Sequence, residues 1–149
     1  ASLQFWRFFS DSIIEWKHDR LTLALASDIG TEKAAEQPGH PRTFWTAAAF
    51  YARLNVYGPW SIALRPEFYW DRSGRISGSE QFLKAMTTTL EYRWGHARPN
   101  AVIRLEHRYD ESTQPGGGFF TRGGLAPGAI GLAREQHLLL ISLILAFRS

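Results

Sequence analysis

Residues 60 to 71 read Trp60-Ser61-Ile62-Ala63-Leu64-Arg65-Pro66-Glu67-Phe68-Tyr69-Trp70-Asp71. Trp60, Ile62, Leu64, Pro66, Phe68 and Trp70 occupy one phase of the alternation; the other phase is mostly polar or charged. Successive side chains of a strand point to opposite faces, so this is a strand with one apolar and one polar face. Ten steps of about 3.3 Å, tilted by roughly 40°, cover about 25 Å, the height of the apolar band on a transmembrane barrel. Tryptophan stands at both ends of the apolar face, where a membrane interface places it. The stretch has the dimensions of a strand that crosses an outer membrane.

The pattern repeats along the chain. Alternating segments bounded by turn residues predict seven strands, at about 5–17, 20–30, 43–56, 60–71, 81–94, 101–110 and 136–147. The connections at His18-Asp19, Tyr57-Gly58-Pro59 and 95–100 are short, whereas those at 31–42, 72–80 and 111–135 are long. Bacterial outer-membrane barrels have this asymmetry, with the short turns on the periplasmic side. The expected fold is all-β, an antiparallel up-and-down transmembrane barrel over residues 1–149, either a single barrel domain or the C-terminal portion of one. The Gly-rich stretch 113–131 receives no predicted secondary structure. Seven strands leave the first and last running in the same direction, while single-chain bacterial barrels close with an even number. The expectation is therefore a larger, even-stranded barrel with further strands upstream.

Composition is compatible with this reading. The longest apolar stretch, Leu138 to Phe147, is too short to cross a bilayer as a helix, which needs about 20 residues. There is no cysteine, and no charged and apolar leader opens the chain, so it reads as a mature or truncated sequence. The net charge of +3 comes from basic residues scattered among acids, without the runs that mark a nucleic-acid binder.

Alternation alone is shared with soluble ligand-binding barrels, whose apolar phase points inward. Aromatic placement favours lipid. Trp16, Trp60 and Trp94 lie beside short turns, and Phe44, Trp70, Phe82 and Tyr109 lie toward the long loops, forming two membrane-interface belts. The opposite phase carries Arg53, Arg65, Glu67, Glu91, Arg93, Arg104, Glu106 and Arg108 on consecutive strands, a charge ladder suited to lining a pore. Arg65, Arg93 and Arg104 are expected close together, with Glu67, Glu91 and Glu106 interleaved. Over the whole inward phase, basic and acidic side chains balance. Lys84 falls on the lipid phase near the long loops, where its stem can snorkel toward lipopolysaccharide phosphate. Pro66 removes a ladder donor, which predicts a bulge or weakened pairing.

The same residues resemble a family. Leu64-Arg65-Pro66-Glu67-Phe68-Tyr69-Trp70-Asp71 with Gly74, Arg104-Leu105-Glu106-His107-Arg108-Tyr109-Asp110-Glu111-Ser112, and Asp19-Arg20-Leu21-Thr22-Leu23-Ala24-Leu25 are similar to strand and hairpin motifs of the OmpL-like β-barrel porins of Gram-negative bacteria. The resemblance covers about residues 10 to 147, the C-terminal part of a longer family barrel. It implies an outer-membrane location.

Other chemistry finds little support. His107 lies on the outward phase near the long loops, where outer-membrane hydrolases keep a histidine, but no Gly-x-Ser-x-Gly elbow accompanies it. His18, His40, His96 and His137 lack metal-ligand spacing and read as solvated loop residues. Glu67 with Asp71, and Glu106 with Asp110, lie about 13 Å apart along a strand, too far for a glycosidase pair. No catalytic residue, metal or cofactor is expected. The first functional expectation is a porin-like barrel for passive diffusion of small polar solutes, with lipid and lipopolysaccharide as partners. The rivals are a closed anchoring barrel, as subunit of an envelope complex, and a soluble ligand-binding barrel.

Overall fold

The structure, a computed structural model, describes residues 6–34, 38–39, 41–95, 100–115, 118–122 and 130–146. Seven strands form one antiparallel sheet: β1 (Arg7–His18), β2 (Leu21–Lys33), β3 (Arg42–Tyr57), β4 (Trp60–Asp71), β5 (Gln81–Trp94), β6 (Asn100–Ser112) and β9 (Glu135–Ala146). Each pairs with its sequence neighbours, β6 pairing with β9 across the last long connection. The expected up-and-down arrangement is thus present, with β4 and β5 at the predicted bounds, β2 running three residues further than predicted, and the other ends displaced by a residue or two.

One expectation needs correction. Within the Gly-rich connection, given no secondary structure from sequence, β7 (Phe119–Arg122) pairs with β8 (Ile130–Ala133) as a separate antiparallel hairpin. Glycine and proline hid it, because its strands are four residues each, too short to show a period.

Local chemistry sets the turns. The short β1–β2 and β3–β4 connections each contain a left-handed residue, Asp19 at φ 46° and Gly58 at φ 52°. Aspartate and glycine tolerate that conformation, and it matches the twist of a hairpin. Pro66 produces weakened pairing, not a bulge. Bridges run from Ala49↔Glu67 to Ala52↔Leu64 with none assigned at Phe50 and Tyr51, yet the register continues unchanged. The register shift in this ladder lies instead beside the turn, between Asn55 and Tyr57.

Burial is inverted relative to a soluble protein. On β4, Ser61, Ala63 and Asp71 are buried, while Trp60, Ile62, Leu64, Phe68 and Trp70 are exposed. On β5, Gln81, Thr87, Thr89 and Glu91 are buried, and Met86, Leu90 and Trp94 are exposed. The burial of the polar face comes from the sheet curling around it, with Phe119 of the β7–β8 hairpin against part of that face. The polar phase is the concave side. Among the described residues, β1 and β9 have a neighbour on one flank only, and both are largely exposed on both faces. They run in the same direction, so antiparallel closure requires an odd number of strands between them.

Candidate functional site

The concave wall is organised by cross-strand register. Ser61 faces Glu91, which faces Arg104; Ala63 faces Thr89, which faces Glu106; Arg65 faces Thr87, which faces Arg108. All eight residues predicted to line a pore are on this face, since they share one phase of the ladders. Six of them form two clusters, each built on a glutamate. Glu91 holds Arg104 from the adjacent strand at 2.6 Å and Arg53 from two strands away, also at 2.6 Å. Arg53 also reaches the Ser61 hydroxyl, which itself donates to Asn55 Oδ1 at 2.8 Å. Glu67 holds Arg108 at 2.5 Å and has Arg65 Nε within 2.9 Å, close as a charge pair but not aligned as a hydrogen bond.

The expected grouping of Arg65, Arg93 and Arg104 forms in part: Arg65 and Arg104 line one small cavity with Glu91 and Glu106, and Arg93 is not among its lining. Arg65 and Arg104 belong to different clusters, because an arginine can cross a curled sheet and reach past its neighbour. Arg93 is exposed beside the short-turn end and makes no ion pair among the described residues. Glu106 accepts from the Thr89 hydroxyl at 3.2 Å. Buried glutamate between two guanidinium groups satisfies both carboxylate oxygens with charge-assisted bonds. Removing the carboxylate would strand two cations in a half-buried site.

The long-loop end of the concave face contains features the sequence reading missed. Trp45 lies inward, 5% exposed, against Gly30, the residue opposite it in register. A Cβ at Gly30 would fall 2.0 Å from the Trp45 ring, so glycine is needed to seat it. Arg7 lies over the same ring at 5.7 Å and also binds Glu32 at 2.5 Å; Arg75 of the β4–β5 loop binds the other Glu32 oxygen. Asp71, fully buried, accepts the backbone N–H groups of Arg75, Ile76 and Ser77 at 2.9, 2.8 and 2.8 Å, and the Ser77 hydroxyl at 3.0 Å. That carboxylate folds the 72–80 loop back, and Arg75 ties it across β3 to β2. Register pairs such as Gly30 with Trp45 were the available signal, visible only once the strands are aligned.

The convex face carries the seven predicted membrane-interface residues. Trp60 meets Tyr92 edge to face at 4.8 Å, Phe44 meets Trp70 at 6.4 Å, and Phe68 stacks on Phe82 at 5.6 Å. Trp16 stacks on His18, and Tyr109 leans on His137 at 5.0 Å. His107 Nε2 and His137 Nδ1 are 3.2 Å apart, and the Tyr109 hydroxyl donates to Glu135 at 3.0 Å. Lys84 lies 3.9 Å from Glu111. Among the described residues no three His, Asp or Glu side chains converge on a point a metal could occupy. His40 and His96 lie outside the described residues.

An antiparallel meander with an apolar convex face, aromatic girdles and a charged concave wall defines the outer-membrane β-barrel class. The comparisons with known proteins specify it further: the chain belongs to the family described as "Putative beta-barrel porin-2, OmpL-like", whose model matches residues 2–147. No curated protein and no solved structure matches it.

Proposed function

We propose that this chain forms wall of a porin through which small polar solutes diffuse passively across the outer membrane of a Gram-negative bacterium. The observation that carries this reading is the inverted burial. Charged side chains such as Glu91 and Asp110 are buried on the concave side, while Leu64, Phe68 and Trp70 are exposed on the convex one. Exposed apolar surface on this scale needs lipid as its solvent. The glutamate-centred arginine clusters then line the water-filled side, each glutamate holding two arginines.

The missing odd strands decide how wide the lumen is. With one, these long side chains fill an eight-stranded barrel; with about nine, roughly 16 strands leave an aqueous channel. The strands come from elsewhere in the full protein, and lipid with lipopolysaccharide forms the surrounding partner, Lys84 directing its ammonium toward the outer-leaflet phosphates. No residue has a catalytic role in this reading, and the protein is not an enzyme. The test is conductance of the purified full-length protein in a planar bilayer. Stepwise, salt-dependent conductance is expected; a folded protein without any conductance would refute the channel and leave a closed anchoring barrel.

A further inference from the structure

The lumenal charges are segregated along the strands. Register aligns the inward side chains into rows, and two adjacent rows nearer the long loops carry Asp11, Asp28, Glu67 and Asp110 with no basic side chain. The next two rows toward the short turns carry Lys17, Arg53, Arg65 and Arg108 against Glu15 and Glu106. The wall is acidic in its long-loop half and basic below.

The acidic rows are also hollow. Ala26, Ala47, Ala49 and Ala85 stand where other rows have long side chains, and they floor a cavity of about 380 Å³ to which Phe119 of β7 contributes. That volume lies near the lower end for small-molecule sites. Arg108 lines it, but its charge is taken by Glu67 and by Asp110 at 2.8 Å, and Asp110 also accepts from Gln136 at 3.0 Å. Asp28 has no basic partner among the described residues and directly faces Asp11 across β1 and β2. Two like charges so placed repel one another and favour a cation between or beside them. Tyr69 lines the same cavity, and its hydroxyl is buried and without a hydrogen bond.

We propose that this cavity is a subsite for small hydroxylated organic cations, an ammonium group sitting at Asp28, which Asp11 faces from the adjacent strand, while Tyr69 and Gln136 bind hydroxyls. The Phe119 ring adds an apolar and cation-attracting surface. The inference rests on the porin reading for the solute's route to the site, and it would make the pore favour cationic over anionic solutes of equal size.

Three hexose probes test it: glucosamine, glucose and glucuronate share a ring and differ in charge. Equilibrium dialysis of the full-length protein in neutral detergent should retain glucosamine about tenfold better than glucose, the scale of one charge-assisted hydrogen bond, and should exclude glucuronate. Asp28→Asn, nearly isosteric, should remove most of the glucosamine preference, and Tyr69→Phe should weaken both retained sugars by a few fold. Equal retention of glucuronate and glucosamine by the unmodified protein would overturn the proposal without any variant. An unchanged preference in folded Asp28→Asn would do the same. Glucosamine retention by a protein that conducts nothing would support the subsite and refute the porin; conductance with no charge preference in binding would refute the subsite alone.

Discussion

Leu25 and Ala24 are neighbours on β2 at the same depth, pointing to opposite faces, so arginine at each position isolates the assignment of faces. Leu25 is exposed on the convex side. It lies four residues from Leu21, the first residue of the strand, which is roughly 10 Å along the membrane normal at about 3.3 Å per residue and a tilt near 40°. That is close to the middle of an apolar band about 25 Å tall, where an arginine facing lipid costs about 2–4 kcal/mol. Ala24 faces Glu15 on β1 and Tyr51 on β3, so an arginine there enters the polar side beside a carboxylate. Its cost should stay below about 1 kcal/mol, the range of an exposed ion pair. Against a total stability of about 5–15 kcal/mol, the difference is large enough to move a urea midpoint without preventing folding. The assay is heat-modifiable gel mobility of the full-length protein in vesicles, followed through a urea series. Ala24→Arg losing as much stability as Leu25→Arg would refute the assignment of the apolar phase to lipid.

Other outcomes follow from specific contacts. Gly30→Ala should cost about 1–3 kcal/mol because Trp45 must move, yet be neutral or slightly stabilising in a Trp45→Ala background, giving a clear coupling in a double-mutant cycle measured by urea titration. Glu91→Gln should cost about 2–3 kcal/mol, discounted from a fully buried pair because Arg53 and Arg104 are partly exposed, and should shift the reversal potential toward anions in planar bilayers. This chain contains no cysteine, so each introduced one is compared with the unmodified full-length protein: Glu80→Cys in a long loop should react with a membrane-impermeant maleimide on intact cells, and exposed Tyr57→Cys beside a short turn should not. Reversed labelling would invert the topology.

Alternation along the chain was enough to set strand number, bounds and the two chemical faces of the main sheet, because side-chain direction in a strand depends only on position parity. Trp60 to Asp71 needs no partner to reveal its apolar and polar sides, and the clustering of Trp16, Trp60 and Trp94 beside short turns needs only the turn residues. Parity likewise fixed that β1 and β9 run the same way. The burial of Ser61, Thr87 and Glu91 could not be read so, since it depends on the curl of the whole sheet. Nor could the ion-pair partners: Arg53 reaches Glu91 past β4, a choice made by curvature and side-chain length, not by sequence spacing. Gly30 beneath Trp45, Asp71 gathering the N–H groups of its loop, and Asp28 facing Asp11 over an alanine-lined hollow all join residues that only strand alignment brings together. Local periodicity specifies direction, while the register and curvature that create a lumen are properties of the assembled sheet.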